Sequence, residues 1–201
     1  MLSREAESAR TATHTVLETY PDWWARGRRA PPGLEVERRE DLEELYRHAA
    51  ALLGLGLPLT LAERRTPVFR LFQDVEAWGS REASTPAEEL VGPDSALTRL
   101  LGATVGEVFP RHKGFLDVAV YDASGLSQTR GVRKTSLRLV WPAILVDTDR
   151  ATRVRDLLVH RLAAASAEGG PLAELEARLR ERGAANAWHS VFGDAAYSSR
   201  A

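Results

Sequence analysis

Residues 67–78 read Pro-Val-Phe-Arg-Leu-Phe-Gln-Asp-Val-Glu-Ala-Trp, with a strand expected over 68–75. Successive side chains of a β-strand point to opposite faces. A strand here therefore puts Arg70, Phe72, Asp74 and Glu76 on one face and Phe69, Leu71 and Val75 on the other. No other segment limits the fold so much, because it calls for a sheet with one apolar face and one charged face. Asp74 and Glu76 stand about 6.6 Å apart along such a strand, and two carboxylates at that spacing can grip divalent ions about 3.5–4 Å apart. All-oxygen ligation suits Mg2+ or Mn2+. Solvated acids at a strand end explain the same pair without any ion.

The rest of the chain alternates helical and extended patterns. Residues 4–18 are polar and alanine-rich and read as a first helix ended by Pro21. Residues 34–55 read as a second, with Leu42, Leu45, Ala49, Leu52 and Leu53 on one stripe. Thr85-Pro86-Ala87-Glu88 has the form of a capping box with proline in the first turn, and Gly92-Pro93 interrupts the helix it would open. Strands are expected over 115–121, 136–141, 144–146 and 190–194. Helices are expected over 150–167, with Asp149 able to cap, and over 171–182, with Gly183 as the stop. These elements predict an α+β or α/β fold, with a helical N-terminal region over 1–60 and a sheet-containing core over 61–201.

Two further segments carry chemistry. In residues 131–142 a strand aligns Lys134, Ser136 and Arg138 on one face and Leu137, Leu139 and Trp141 on the other. A hydroxyl between two cations suits phosphate oxygens: arginine binds them bidentately and lysine as a point charge. An exposed cationic strand is the alternative. In residues 188–197 an apolar run ends at Asp194, which offers a third carboxylate or a turn aspartate.

Taken in order, Asp-x-Glu, then Lys-x-Ser-x-Arg, then an apolar run to Asp before Tyr197 resembles the three motifs of the archaeo-eukaryotic primase superfamily. The likeness is greatest to its primase-polymerase branch, which includes the herpesvirus primase subunit. It covers roughly residues 67–197. The resemblance implies a primase-like core with an RRM-like mixed sheet flanked by helices. It implies that Asp74, Glu76 and Asp194 hold two Mg2+ or Mn2+ ions, that Ser136 and Arg138 contact the nucleotide's phosphates, and that Lys134 is the basic residue preceding the second motif. Arg70, on the same face, is expected to restrain a carboxylate or touch substrate. The implied activity is template-directed nucleotidyl transfer by a DNA primase, with single-stranded DNA and NTP or dNTP as ligands and a helicase or polymerase as a further partner. The family's second motif usually ends in histidine; Arg138 cannot titrate near neutral pH as histidine does. The chain ends seven residues after Asp194, which suggests a minimal or truncated core. A catalytically inactive nucleic-acid-binding or assembly subunit and a metal-dependent nuclease are the competing functions.

Other polar residues read more simply. Asp147 and Asp149 stand where a helix begins, and Asp122-Ala123-Ser124-Gly125 forms a turn. Asp117 reads as a sheet-edge residue, and the five histidines show no metal-ligand spacing. Zero cysteine excludes a disulfide scaffold, a cysteine-ligated zinc or iron–sulfur centre and a cysteine nucleophile. The net charge of -1 excludes attachment to nucleic acid by bulk charge, though not by a local patch such as Arg150, Arg153, Arg155 and Arg161 on one expected helix. With 44% apolar residues, no secretory leader and no stretch near roughly 18 apolar residues, a soluble intracellular protein is expected, in nucleus or organelle if eukaryotic and otherwise in cytoplasm.

Overall fold

Ten residues of unbroken alternation, Phe69–Trp78, form strand β5, whose even-numbered positions 72–78 are half-buried while Leu71, Gln73, Val75 and Ala77 are buried. The computed structural model describes residues 4–5, 14–17, 33–36, 38–56, 60–63, 67–193 and 197. Two compact units divide the chain, Met1–Thr66 and Pro67–Arg200.

The first unit holds strands β1 (Arg4–Glu5), β2 (His14–Leu17), β3 (Gly33–Glu35) and β4 (Thr60–Glu63), in the order β1-β3-β2-β4, with helix α1 (Arg39–Gly54). The helix expected over 4–18 is therefore corrected at its described residues. His14-Thr15-Val16-Leu17 includes two β-branched residues and pairs with both β3 and β4, and that pairing outweighs the surrounding alanines. Helix α1 starts five residues later than the expected 34, because Gly33–Glu35 is committed to β3. None of its described residues is buried, and Leu52 and Leu53 of the expected stripe are exposed.

In the second unit β5 is followed by α2 (Ala87–Val91), α3 (Ala96–Val108), β6 (Ala119–Asp122), β7 (Gly125–Leu126), β8 (Arg133–Val146), α4 (Thr148–Ala167), α5 (Pro171–Arg182) and α6 (Trp188–Val191). The sheet runs β5-β8-β6, with β7 also paired to β8, and each described pairing is antiparallel. It is thus antiparallel where a mixed sheet was expected. The chain leaves β5, crosses through two helices to β6 and returns into the gap between them as β8, a split β-α-β arrangement.

Alternation continues through β8, so one face carries Leu137, Leu139 and Trp141 and joins the buried residues of β5. Helices α3, α4 and α5 cover this face with Leu97, Leu101, Val154, Leu158, Leu175 and Leu179. Each fully buried leucine contributes about 1.5–3 kcal/mol from lost contact with water. The strands expected separately over 136–141 and 144–146 are one 14-residue strand. Its register against β5 shifts between Arg70 and Leu71, where Arg70 faces Leu145 and Leu71 faces Trp141. Pro142 lies in that shift, where a missing N–H costs the ladder nothing.

Several expected ends move for local reasons. Asp147 rather than Asp149 caps α4, accepting from the Arg150 N–H at 2.7 Å. The capping box at 85–88 does not form, since Thr85 is buried and its carbonyl accepts from the Thr135 hydroxyl. Residues 115–118 are irregular and only the end of that expected strand persists as β6. The strand expected over 190–194 is absent at its described residues 190–193, where α6 ends at Val191, because Trp188, Val191 and Phe192 bury with helical rather than alternating spacing. No helix among the described residues is long and apolar enough to cross a membrane.

Candidate functional site

The face of the second sheet that the helices leave uncovered is built by register. Asp74 stands opposite Arg138, Glu76 opposite Ser136 and Trp78 opposite Lys134, while Tyr121 of β6 stands on the other side of Arg138. Directly paired residues share a face, so five of the residues singled out from sequence, Asp74, Glu76, Lys134, Ser136 and Arg138, converge there. They do so although 58 or more positions separate the two strands' contributions.

Electrostatics then organises the face. Arg138 makes a bidentate pair with Asp74, Nε donating to Oδ1 at 2.7 Å and Nη2 to Oδ2 at 2.8 Å. Its guanidinium lies 4.5 Å over the Phe72 ring, a cation–π contact. The hydrogen bond from Arg138 to Asp74 raises the guanidinium's pKa further above its ordinary value, so Arg138 is a fixed cation. Lys134 reaches diagonally and donates from Nζ to Glu76 Oε1 at 2.7 Å, and the Ser136 hydroxyl donates to the same oxygen at 3.3 Å. Two carboxylates and two cations thus neutralise one another. Both pairs touch water: Asp74 and Lys134 keep 24% and 27% of side-chain exposure, Glu76 and Arg138 41% and 52%.

A cavity of about 560 Å³ opens on this face, lined by Asp74, Glu76, Ser136, Arg138, Tyr121 and Asp122 among others, while Lys134 stands outside its lining. Its size falls within the usual range for small-molecule sites. Tyr121 is largely exposed, so its ring is available to a ligand in the cavity. Asp122 accepts from the Ser124 N–H at 2.7 Å, and bonds from Ser124 hold its carboxyl below the usual aspartate value. It closes the turn expected from sequence and borders the cavity as well.

Asp74 and Glu76 are hard oxygen donors on one open face, and that chemistry fits Mg2+ or Mn2+. Among the described residues, no group of three or more histidine, aspartate or glutamate side chains comes together as a ligand cluster. Asp194, the expected third ligand, lies outside the described residues. On either side of it, Phe192 is buried and Tyr197 donates from its hydroxyl to the Phe72 carbonyl with its ring 5.1 Å from that of Phe72.

Other expected residues are placed elsewhere. Arg70 is exposed beyond the register shift and does not line the cavity. Of the four α4 arginines expected as a basic patch, Arg150 and Arg153 are exposed. Arg155 donates to the Phe192 and His189 carbonyls and pairs with Asp156, while Arg161 pairs with Glu107. Basic side chains also gather at the start of β8, where Arg130 lies 4.1 Å over the Trp78 ring and Lys134 5.5 Å from it. Sequence reasoning missed Tyr121 and Asp122 as lining residues, since nothing local fixes the register of β6. It also missed Asn186, whose side chain accepts from the Trp78 N–H at 2.8 Å and donates to the Trp78 and Leu179 carbonyls. No protein-family model matches the chain, and no curated protein matches it.

Proposed function

We propose that the second unit is the catalytic core of a primase-polymerase, adding nucleotides to a 3′-hydroxyl under direction of a single-stranded DNA template. The observation that supports this reading is the convergence of Asp74, Glu76, Lys134, Ser136 and Arg138 on one open sheet face, where all but Lys134 line a cavity of about 560 Å³. These are the positions that carry the likeness to the archaeo-eukaryotic primase superfamily. Asp74 and Glu76, with Asp194, would hold Mg2+ or Mn2+, which supplies a lowered pKa for the attacking hydroxyl and charge neutralisation for departing pyrophosphate. The chain's own cations do the remaining electrostatic work. Arg138 and Lys134 orient the triphosphate and present fixed positive charge where negative charge develops, and Ser136 donates a hydrogen bond to a phosphate oxygen. The primer 3′-oxygen bonds to the α-phosphorus, the α–β bridge breaks, pyrophosphate leaves and the hydroxyl proton passes to solvent.

Primer synthesis and extension on a single-stranded template, with NTPs or dNTPs and Mg2+ or Mn2+, tests the reading. The wild type should give metal-dependent products, and Asp74→Ala combined with Glu76→Ala should fall to the no-enzyme background. No product under any of these conditions contradicts it, and shortening of the template would point to a nuclease. The closed Asp74–Arg138 pair favours a second reading, a nucleic-acid-binding or assembly subunit without catalysis. Template binding by a wild type that makes no product distinguishes it.

A further inference from the structure

We infer that the outer edge of β6 docks an extended peptide of a partner protein, one with alternate apolar residues and basic ends, which adds a strand to the sheet and seats an apolar side chain beneath it. The two edges of this sheet are finished differently. On β5, side chains meet outward backbone groups: Asn186 bonds the Trp78 N–H and C=O, and Tyr197 donates to the Phe72 carbonyl. On β6 the outward groups are bare. The Ala123 N–H donates to the Ser136 carbonyl, so the bonded pairs of the β6–β8 ladder fall at 119, 121 and 123. The N–H and C=O of Val120 therefore turn away from β8, and among the described residues no further strand pairs with them. Ala119–Asp122 has neither the proline nor the lysine that blunts an exposed edge.

A cavity of about 80 Å³ lies beside this edge, lined by Leu101 and Gly102 of α3, Leu116, Val118, Val120 and Trp141 among others. That is several times the roughly 15 Å³ one water needs and far below the roughly 300 Å³ at which small-molecule sites begin, so it suits a single side chain. Val118 and Val120 are the exposed members of its lining, at 38% and 44%, which puts the mouth at the β6 rim. Val120 stands opposite buried Leu139 and shares its helix-covered face, so a strand added beside Val120 turns alternate side chains toward the cavity. Gly102 keeps that space clear. A Cβ there would meet nothing within 4 Å, so no close neighbour requires glycine, which is disfavoured inside a helix. Charge selects the occupant. Residues 114–129 carry two charged side chains, Asp117 and Asp122, both acidic and exposed, and basic peptide ends complement them. The same acids disfavour a second copy, because two β6 strands paired antiparallel about Val120 set each Asp122 within one position of the other copy's Asp117.

Fluorescence anisotropy on the full chain tests this with a labelled, end-capped peptide, Lys-Thr-Leu-Thr-Val-Thr-Arg. The wild type should bind it saturably. Alanine in place of the peptide's leucine and valine should weaken binding about tenfold or more, the worth of one buried apolar side chain. Methylating those two peptide nitrogens, which removes the donors an added strand turns toward Val120, should abolish it. Gly102→Leu fills the cavity with a good helix former, and should weaken binding about tenfold or more without lowering the melting temperature. Asp117→Lys should reverse the charge preference, favouring the same peptide with glutamate at both ends. No saturable binding by the wild type overturns the inference, as does equal binding of the methylated peptide or of Gly102→Leu. If Gly102→Leu melts early, the peptide substitutions decide alone. Dimerisation of the wild type that Gly102→Leu abolishes, read by light scattering, would put a second copy at this edge and overturn the peptide reading. Primer extension, which depends on Asp74 and Glu76, stands or falls separately.

Discussion

Asn186 ties the end of the site-bearing strand to the helical layer. Buried to 1% exposure, it satisfies the N–H and C=O of Trp78 and the C=O of Leu179, so one side chain completes three backbone groups of two elements. Gly183 permits the approach, since a Cβ there would stand 2.7 Å from the Trp78 carbonyl oxygen. Asn186→Ala removes this partner from both Trp78 groups in a dry place, while the Leu179 carbonyl keeps the Gly183 N–H at 3.0 Å, and should lower stability by about 2–4 kcal/mol, read from urea denaturation. A loss under about 0.5 kcal/mol would mean the bonds contribute nothing net. Asp74, Glu76, Lys134, Ser136 and Arg138 were legible in sequence because strand alternation alone puts each set on one face. Asn186 and Tyr121 were not, because their roles arise from partners 108 positions away and from a register set by tertiary packing.

Elements dock through a mixture of apolar burial and a few placed charges. Glu89 of α2 accepts from Arg178 at 2.8 Å and Arg182 at 2.9 Å, both on α5. Partial burial pushes its carboxyl upward, but the two arginine bonds outweigh that and hold it below the usual glutamate value. A carboxyl whose folded-state pKa is depressed stabilises fully above its ordinary value, and that stabilisation is lost as pH falls through the folded value. Glu89→Gln should therefore be about 1 kcal/mol less stable than wild type at pH 7, with the gap closing as pH falls below about 4. Thermal melts across that range would show it, and a gap independent of pH would contradict it. Helix α5 was legible to the residue, since Pro171 and Gly183 mark its ends as general helix-end chemistry dictates. Helix α3 was not, because Gly92-Pro93 hides its start, and Ser95 caps it by accepting from the Thr98 N–H. Helix α6 has four residues, too few for a periodicity to show.

Across the whole molecule, a formal net charge of -1 conceals strong local order. Four charged groups on the open sheet face balance pairwise, while the opposite face carries the core of the second unit. A face that is neutral as a whole and charged in detail attracts neither free polyphosphate nor metal by bulk field. The central claim is that this face is the ligand site. At 22.1 kDa the chain suits amide-resolved NMR. On adding Mg2+ with a methylene-bridged nucleoside triphosphate, the shifted amides should cluster at residues 74–76, 121–123 and 136–138. Shifts confined to α4 and α5, or no shift at those strand positions, would contradict it.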